Sequence, residues 1–195
     1  MKAYKDFIVS PIGERYTNSK KVDGKELVLN TEIYNHQFVN RKAIVIDTPL
    51  LLETSIKKGD EIIVHHNVFR RWHDVKGKER NSKSYWKDNK YIISQDQIFL
   101  YKQKEWKATP GYSFVQPIVS DNKLTNESEQ SLVGIIKYSD GTFNKNELVG
   151  FTPNSEYEFI IEGKRLYRVL NKFITIKYEY QGNEKEYNPS WTQSG

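Results

Sequence analysis

Apolar residues in this chain come in short β-branched and aromatic runs, and no long stretch repeats them at the i, i+3, i+4 spacing of an amphipathic helix. The first half holds Phe7-Ile8-Val9, Ala43-Ile44-Val45-Ile46, Glu61-Ile62-Ile63-Val64, Tyr91-Ile92-Ile93 and Ile98-Phe99-Leu100-Tyr101. The second half holds Phe114-Val115, Val133-Gly134-Ile135-Ile136, Tyr157-Glu158-Phe159-Ile160-Ile161, Leu166-Tyr167-Arg168-Val169 and Phe173-Ile174-Thr175-Ile176. Gly, Asn, Asp and Pro bound these runs. Strands at that spacing predict an all-β sandwich or barrel. With 195 residues the chain is long enough for one large or two small cores. Thirteen Tyr, nine Phe and four Trp argue against disorder, in which aromatics are scarce. Cysteine is absent, so stability must come from packing, with no disulfide framework or thiolate chemistry.

A repeat runs through these strands. Val9-Ser10-Pro11-Ile12 recurs as Val115-Gln116-Pro117-Ile118, and Lys42-Ala43-Ile44-Val45 matches Val133-Gly134-Ile135-Ile136. Each copy then has a strand pair and a closing strand, Ile98-Phe99-Leu100 and Ile174-Thr175-Ile176. The turn signal Pro110-Gly111 near Trp106 sets a boundary, giving domains 1–107 and 108–195. The tail after Tyr180 is rich in Gly, Asn, Ser and Pro and is expected to be peripheral or poorly ordered, a flexible C-terminal tail. The formal net charge of +5 is uneven: residues 1–110 carry 21 Lys and Arg against 14 Asp and Glu, the remainder 9 against 11. The segment Met1-Lys2-Ala3-Tyr4-Lys5-Asp6 does not read as a signal peptide, and no apolar stretch approaches the roughly 20 residues of a membrane helix. A cytoplasmic protein without a membrane role is the expectation.

Three constellations could carry function. The first is an aliphatic triplet, Leu27-Val28-Leu29, in a polar Lys-rich run behind Gly24. It is either a strand with Leu27 and Leu29 on one face or an adhesive loop tip. The second interleaves Arg70, Arg71, Lys76, Lys78, Arg80, Lys83, Lys87 and Lys90 with Phe69, Trp72, Tyr85 and Trp86. Such a surface could neutralise phosphates while aromatics stack bases. A contact with an acidic protein is equally consistent, and a hairpin with packed aromatics and a solvated charged face outweighs nucleic acid. Within it, Arg70, Arg71, Trp72, Lys76, Lys78 and Arg80 form the candidate contact surface. The third is His65, His66 and His73 with Asp74. Neighbouring residues of a strand point to opposite faces, so His65 and His66 are not expected to share an ion, and no metal site is assigned. No nucleophile–base pair, phosphate loop or paired-carboxylate motif is present, so no catalytic residue and no cofactor are assigned.

Residues 4–102 resemble the GroES family of co-chaperonins in the order of their signals: the triplet Leu27-Val28-Leu29, then Gly59-Asp60 with its following strand, then Asp96-Gln97-Ile98. Residues 113–180 resemble the bacteriophage-borne members through Ser155-Glu156-Tyr157-Glu158-Phe159 and Leu166-Tyr167-Arg168. Two departures stand out in this second copy. It has Asn146-Glu147-Leu148-Val149-Gly150 where Gly-Asp is expected, and its early loop, Ser120 to Ser131, holds a single Leu124. In the first copy the segment from Asn67 to Asn89 is longer and more basic than the family's hairpin.

The resemblance implies two tandem GroES-like small β-barrels. It also implies a homo-oligomeric ring, sevenfold by analogy, that caps a GroEL-type chaperonin through Leu27, Val28 and Leu29 while a non-native substrate protein folds inside. A phage protein would be that substrate and the host bacterial cytoplasm the location. The alternative is a virion or assembly protein that reuses the same barrels. A single-strand nucleic-acid binder stands third.

Overall fold

The computed structural model describes residues 2–16, 19–22, 25–28, 39–120, 128–179, 182, 184–189 and 192, with backbone only at 19–22 and 25–28. It is all-β, with 3-10 turns at Gln95–Gln97 and Asn171–Phe173. The chain divides into two compact units, residues 1–105 and 106–195. The sequence placed this boundary at 107/108; the short strand β11 (Trp106–Ala108) belongs to the second unit.

The first unit contains β1 (Phe7–Pro11), β2 (Ser19–Val22), β3 (Lys25–Val28), β4 (Lys42–Asp47), β5 (Glu61–Val64), β6 (Arg71–His73), β7 (Glu79–Asn81), β8 (Tyr85–Lys87), β9 (Lys90–Ile93) and β10 (Ile98–Lys102). Within it the sheet runs β10-β5-β4-β1-β9-β8. The pairs β2–β3 and β6–β7 are separate two-stranded hairpins. The core gathers the inward side chains of these strands, among them Phe7, Val9, Val45, Ile62, Val64, Tyr91, Ile93 and Ile98, with Val68 and Phe69 added from the connection after β5.

The second unit contains β12 (Tyr112–Val119), β13 (Glu129–Ser139), β14 (Leu148–Phe151), β15 (Tyr157–Ile161), β16 (Lys164–Leu170) and β17 (Ile174–Tyr178), in the order β15-β16-β12-β13-β14-β17. Val115, Ile136, Val149, Phe151 and Val169 form the core on one side of this sheet, and Ile118, Val133, Ile135 and Leu148 form a second cluster.

The two sheets share strand pairing residue for residue. Val9↔Val45, Ser10↔Ile44 and Pro11↔Ala43 in the first unit correspond to Val115↔Ile136, Gln116↔Ile135 and Pro117↔Gly134 in the second. A register shift falls between Ile8 and Val9 and again between Phe114 and Val115. The closing strands agree as well: Ile98↔Val64 and Leu100↔Ile63 match Ile174↔Phe151 and Ile176↔Gly150, each after a 3-10 turn. Proline fits both central strands for one reason. β1 pairs with β9 only through Val9, and β12 with β16 only through Val115. Pro11 and Pro117 therefore lie beyond these second pairings, and the later segment that reaches Pro117 uses its carbonyl, which accepts Tyr187 N–H, so neither position needs a second N–H.

The departure at Asn146-Glu147 does not alter the backbone. Gly59 has φ 91° and its N–H donates to Val45 O at 2.8 Å; Asn146 has φ 69° and its N–H donates to Ile136 O at 2.8 Å. Asn tolerates the left-handed region better than most residues, so it can replace Gly in this turn. The following acid accepts a backbone N–H in both copies, Asp60 from Lys57 at 2.8 Å and Glu147 from Asn144 at 3.3 Å.

The tail differs from expectation. Its described residues 184–189 lie along β12: Val119 N–H donates to Lys185 O at 2.8 Å, Tyr187 N–H to Pro117 O at 2.8 Å, and Glu186 bridges Ile118. Glu186 also pairs with Lys137, and Asn188 bonds Arg165 N at 2.9 Å and Gly163 O at 3.0 Å. Backbone pairing, the Asn188 amide and the Glu186 carboxylate hold this polar segment, so hydrophobic patterning carried no trace of it.

Candidate functional site

The connection between β1 and β4 is built in two stages. Near the sheet its two arms are pinned together. Ile12 N–H donates to Lys42 O at 3.0 Å and Asn40 N–H to Arg15 O at 2.9 Å, while the Asn40 amide donates to Ile12 O and Glu14 O at 2.8 and 2.7 Å. A bridge joins Tyr16 to Val39. Beyond this stem β2 and β3 pair as Ser19↔Val28, Lys20↔Leu27, Lys21↔Glu26 and Val22↔Lys25. Leu27 and Val28 thus sit on a β-strand, yet one that belongs to a hairpin outside the main sheet. Gly24 and Leu29 lie outside the described residues. In the second unit the ladder of β12 and β13 runs on to Val119↔Glu129 and Ser120–Ser128, and Leu124 lies outside the described residues.

The basic segment folds as two hairpins. In β6–β7 the pairs are Arg71↔Asn81, Trp72↔Arg80 and His73↔Glu79. Asp74 organises the turn. Its Oδ1 accepts the N–H groups of Lys76 and Lys78 at 2.9 and 3.0 Å, and its Oδ2 accepts Arg80 Nε at 3.0 Å. These bonds, that from Lys78 first, hold the Asp74 carboxyl below its ordinary pKa. Arg71 pairs with Glu79 at 3.1 Å and lies 4.7 Å from the centre of the Tyr16 ring. Of the six expected contact residues, then, Arg71 and Arg80 are engaged inside the hairpin, while Trp72, Lys76 and Lys78 are exposed and Arg70 is half-buried. The second hairpin, β8–β9, turns through Asp88 and Asn89, both with positive φ as a two-residue type I′ turn requires.

Arg15 ties both hairpins to the sheet, a role the sequence did not disclose. It donates from Nε and Nη2 to Phe69 O at 3.1 and 2.8 Å, and from Nη1 to Asn81 Oδ1 at 2.7 Å. Its guanidinium also lies 5.5 Å from the centre of the Tyr91 ring, which packs edge-on against Phe69 and Tyr85. Burial lowers the Arg15 pKa and raises that of the Tyr91 phenol, which stays protonated at neutral pH.

The histidines depart from expectation. β5 ends at Val64, so His65 and His66 fall in the following turn and no longer alternate as strand residues do. Their rings stack at 4.2 Å.

A polar cluster that the sequence did not single out lies in the second unit. Arg165 joins Glu129 at 2.5 Å and Glu158 at 2.8 Å, and the Tyr167 hydroxyl donates to Glu129 at 2.7 Å. Burial and the Glu129 carboxylate push the Tyr167 phenol well above its ordinary pKa. Every charge here has a partner within the cluster, which suits a structural role. No known family model matches the chain, and no curated protein matches it.

Proposed function

We propose that this chain is a co-chaperonin that docks on a GroEL-type chaperonin through Leu27, Val28 and Leu29. The observation that carries the reading is the placement of Leu27 and Val28 on a hairpin that leaves the main sheet at a pinned stem. Burying three aliphatic side chains on a partner contributes roughly 1.5–3 kcal/mol each. Ordering a free loop costs about 1–2 kcal/mol per residue, a cost that pairing β2 with β3 in advance reduces. One such contact is weak, and a homo-oligomeric ring presenting several would gain avidity while still releasing. The mechanism needs no catalytic group in this chain. ATP hydrolysis in the partner chaperonin would drive the cycle, and a phage protein folding in the host cytoplasm would be the cargo.

The test is nucleotide-dependent co-sedimentation with the cognate bacterial chaperonin. Wild type binds with ATP present, and Leu27→Ser/Val28→Ser/Leu29→Ser abolishes binding without changing the circular dichroism spectrum. A folded wild-type protein that never sediments with the chaperonin would overturn this reading in favour of a virion or assembly module.

A further inference from the structure

We propose that the β6–β7 and β8–β9 hairpins form a second binding surface, for single-stranded nucleic acid. Between Arg70 and Lys90 there are eight basic residues against three acidic ones, a net +5 that equals the charge of the whole chain. The corresponding stretch of the second unit, from Thr152 to Leu166, has Lys164 and Arg165 against Glu156, Glu158 and Glu162. The shared fold therefore does not require this charge.

The hairpin's own acids do not cancel it. Asp74 and Glu79 are taken up by Arg80, Arg71 and the turn N–H groups, and Asp88 is the third acid, set against the exposed cations Lys76, Lys78, Lys83 and Lys87. Aromatic rings stand among them: Trp72 is 46% exposed, Trp86 39% and Tyr85 36%. The Trp72 indole N–H donates to Asn81 O at 3.2 Å, which fixes the ring on its hairpin. Lys87 Nζ lies 4.6 Å from the centre of the Trp86 ring, so a cation and a stacking surface sit side by side. Arg15 holds the two hairpins on one support through Asn81 and Tyr91.

Lysine ammonium groups beside accessible flat rings match a strand that offers a phosphate and a base at each step. An acidic protein surface would use the charge but would have no need of the rings. This chemistry weighs the segment differently from its sequence alone, because the sequence left the aromatics free to be core.

The experiment uses the full-length protein and a fluorescein-labelled 20-nucleotide oligothymidine, read by anisotropy and by quenching of tryptophan emission. Four neutralised phosphates predict log K falling against log salt with a slope of roughly −3. Lys76→Gln/Lys78→Gln/Lys83→Gln flattens that slope by about 2. Trp72→Ala/Trp86→Ala weakens binding about tenfold or more while changing the slope little. Lys87→Glu, on the other hairpin, weakens binding independently. No binding at 50 mM salt overturns the proposal. So does polyglutamate binding as tightly as the oligonucleotide with no effect of the tryptophan substitutions, a result that would assign the surface to an acidic protein. The Leu27→Ser/Val28→Ser/Leu29→Ser variant keeps full oligonucleotide affinity, so this surface and the chaperonin contact fail separately.

Discussion

Asn146 must adopt the left-handed backbone that Gly59 adopts in the first unit. Asn146→Gly is expected to leave stability within about 0.5 kcal/mol, whereas Asn146→Val should cost roughly 1–2 kcal/mol, because a branched Cβ crowds the following carbonyl there. Urea denaturation of the two variants separates them. Gly134 is constrained by space instead. A Cβ at that position would lie 2.5 Å from Gln116 O and 2.6 Å from Val115 Cγ1, and the backbone oxygen cannot step aside. Gly134→Ala should therefore cost about 1–3 kcal/mol, although its counterpart Ala43 accommodates a methyl group without exposure. Asp140 supplies a pH dependence. Burial opposes its charge, but hydrogen bonds from Thr142, Gly111 and Asn171 outweigh that and hold its pKa below the ordinary 3.8. A depressed carboxyl stabilises the fold fully above its unfolded pKa, and the contribution is lost as pH falls through the folded value. Asp140→Asn should lower the melting temperature at pH 6 and make progressively less difference as pH drops from 5 to 3.

Among the elements, those that alternate apolar and polar residues were legible in the sequence and those held by backbone or polar bonds were not. β1 and β12 announced themselves through Val-x-Pro-Ile and β4 and β13 through the second match of the repeat, whereas the pairing of β1 with β4 and of β12 with β13 is visible only in the fold. The β15–β16 hairpin follows two apolar runs of the sequence, Tyr157-Glu158-Phe159-Ile160-Ile161 and Leu166-Tyr167-Arg168-Val169, with its turn at Glu162-Gly163 between them. By contrast Glu184-Lys185-Glu186-Tyr187-Asn188-Pro189 has no apolar periodicity, and its attachment to β12 depends on geometry that composition does not encode. The stacking of His65 on His66 was missed because β5 stops at Val64, one residue before the alternation rule would have applied. The basic segment was visible in its residues but not in its ion pairing, since only the fold pairs Arg71 with Glu79 and Arg80 with Asp74. The tail offers a direct test. Ending the chain at Glu179 removes the two backbone bonds to β12 and the amide contacts of Asn188, on the order of 2–3 kcal/mol in all. Hydrogen exchange at Val119 should quicken, while the strands of the first unit should exchange as before.

Across the whole molecule the repeat extends from register to packing. Val9, Val45, Ile62, Val64 and Ile93 in the first core correspond by strand pairing to Val115, Ile136, Val149, Phe151 and Val169 in the second. The sequence showed this as two short matches in a common order; their full correspondence was hidden because the intervening connections differ in length and charge. Those connections are where the units part company. Among the described residues the first unit alone places β2–β3 between its first two sheet strands and β6–β7 after β5; β2–β3 carries one proposed contact surface, and β6–β7 with β8–β9 the other. A duplicated scaffold makes a specific demand on the energetics: matched core positions should behave alike, and each should act within its own unit. Val9 and Val115 are both fully buried. Truncating either to Ala removes two methyl groups and leaves a cavity, a loss of about 2 kcal/mol. Native-state hydrogen exchange should then show Val9→Ala speeding exchange in β1, β4 and β9 alone, and Val115→Ala in β12, β13 and β16 alone. Neither substitution should alter chaperonin co-sedimentation or oligothymidine affinity under conditions where the protein stays folded. Accelerated exchange spreading evenly over both units from either site would mean that the chain unfolds as one cooperative body and that the two cores do not act separately.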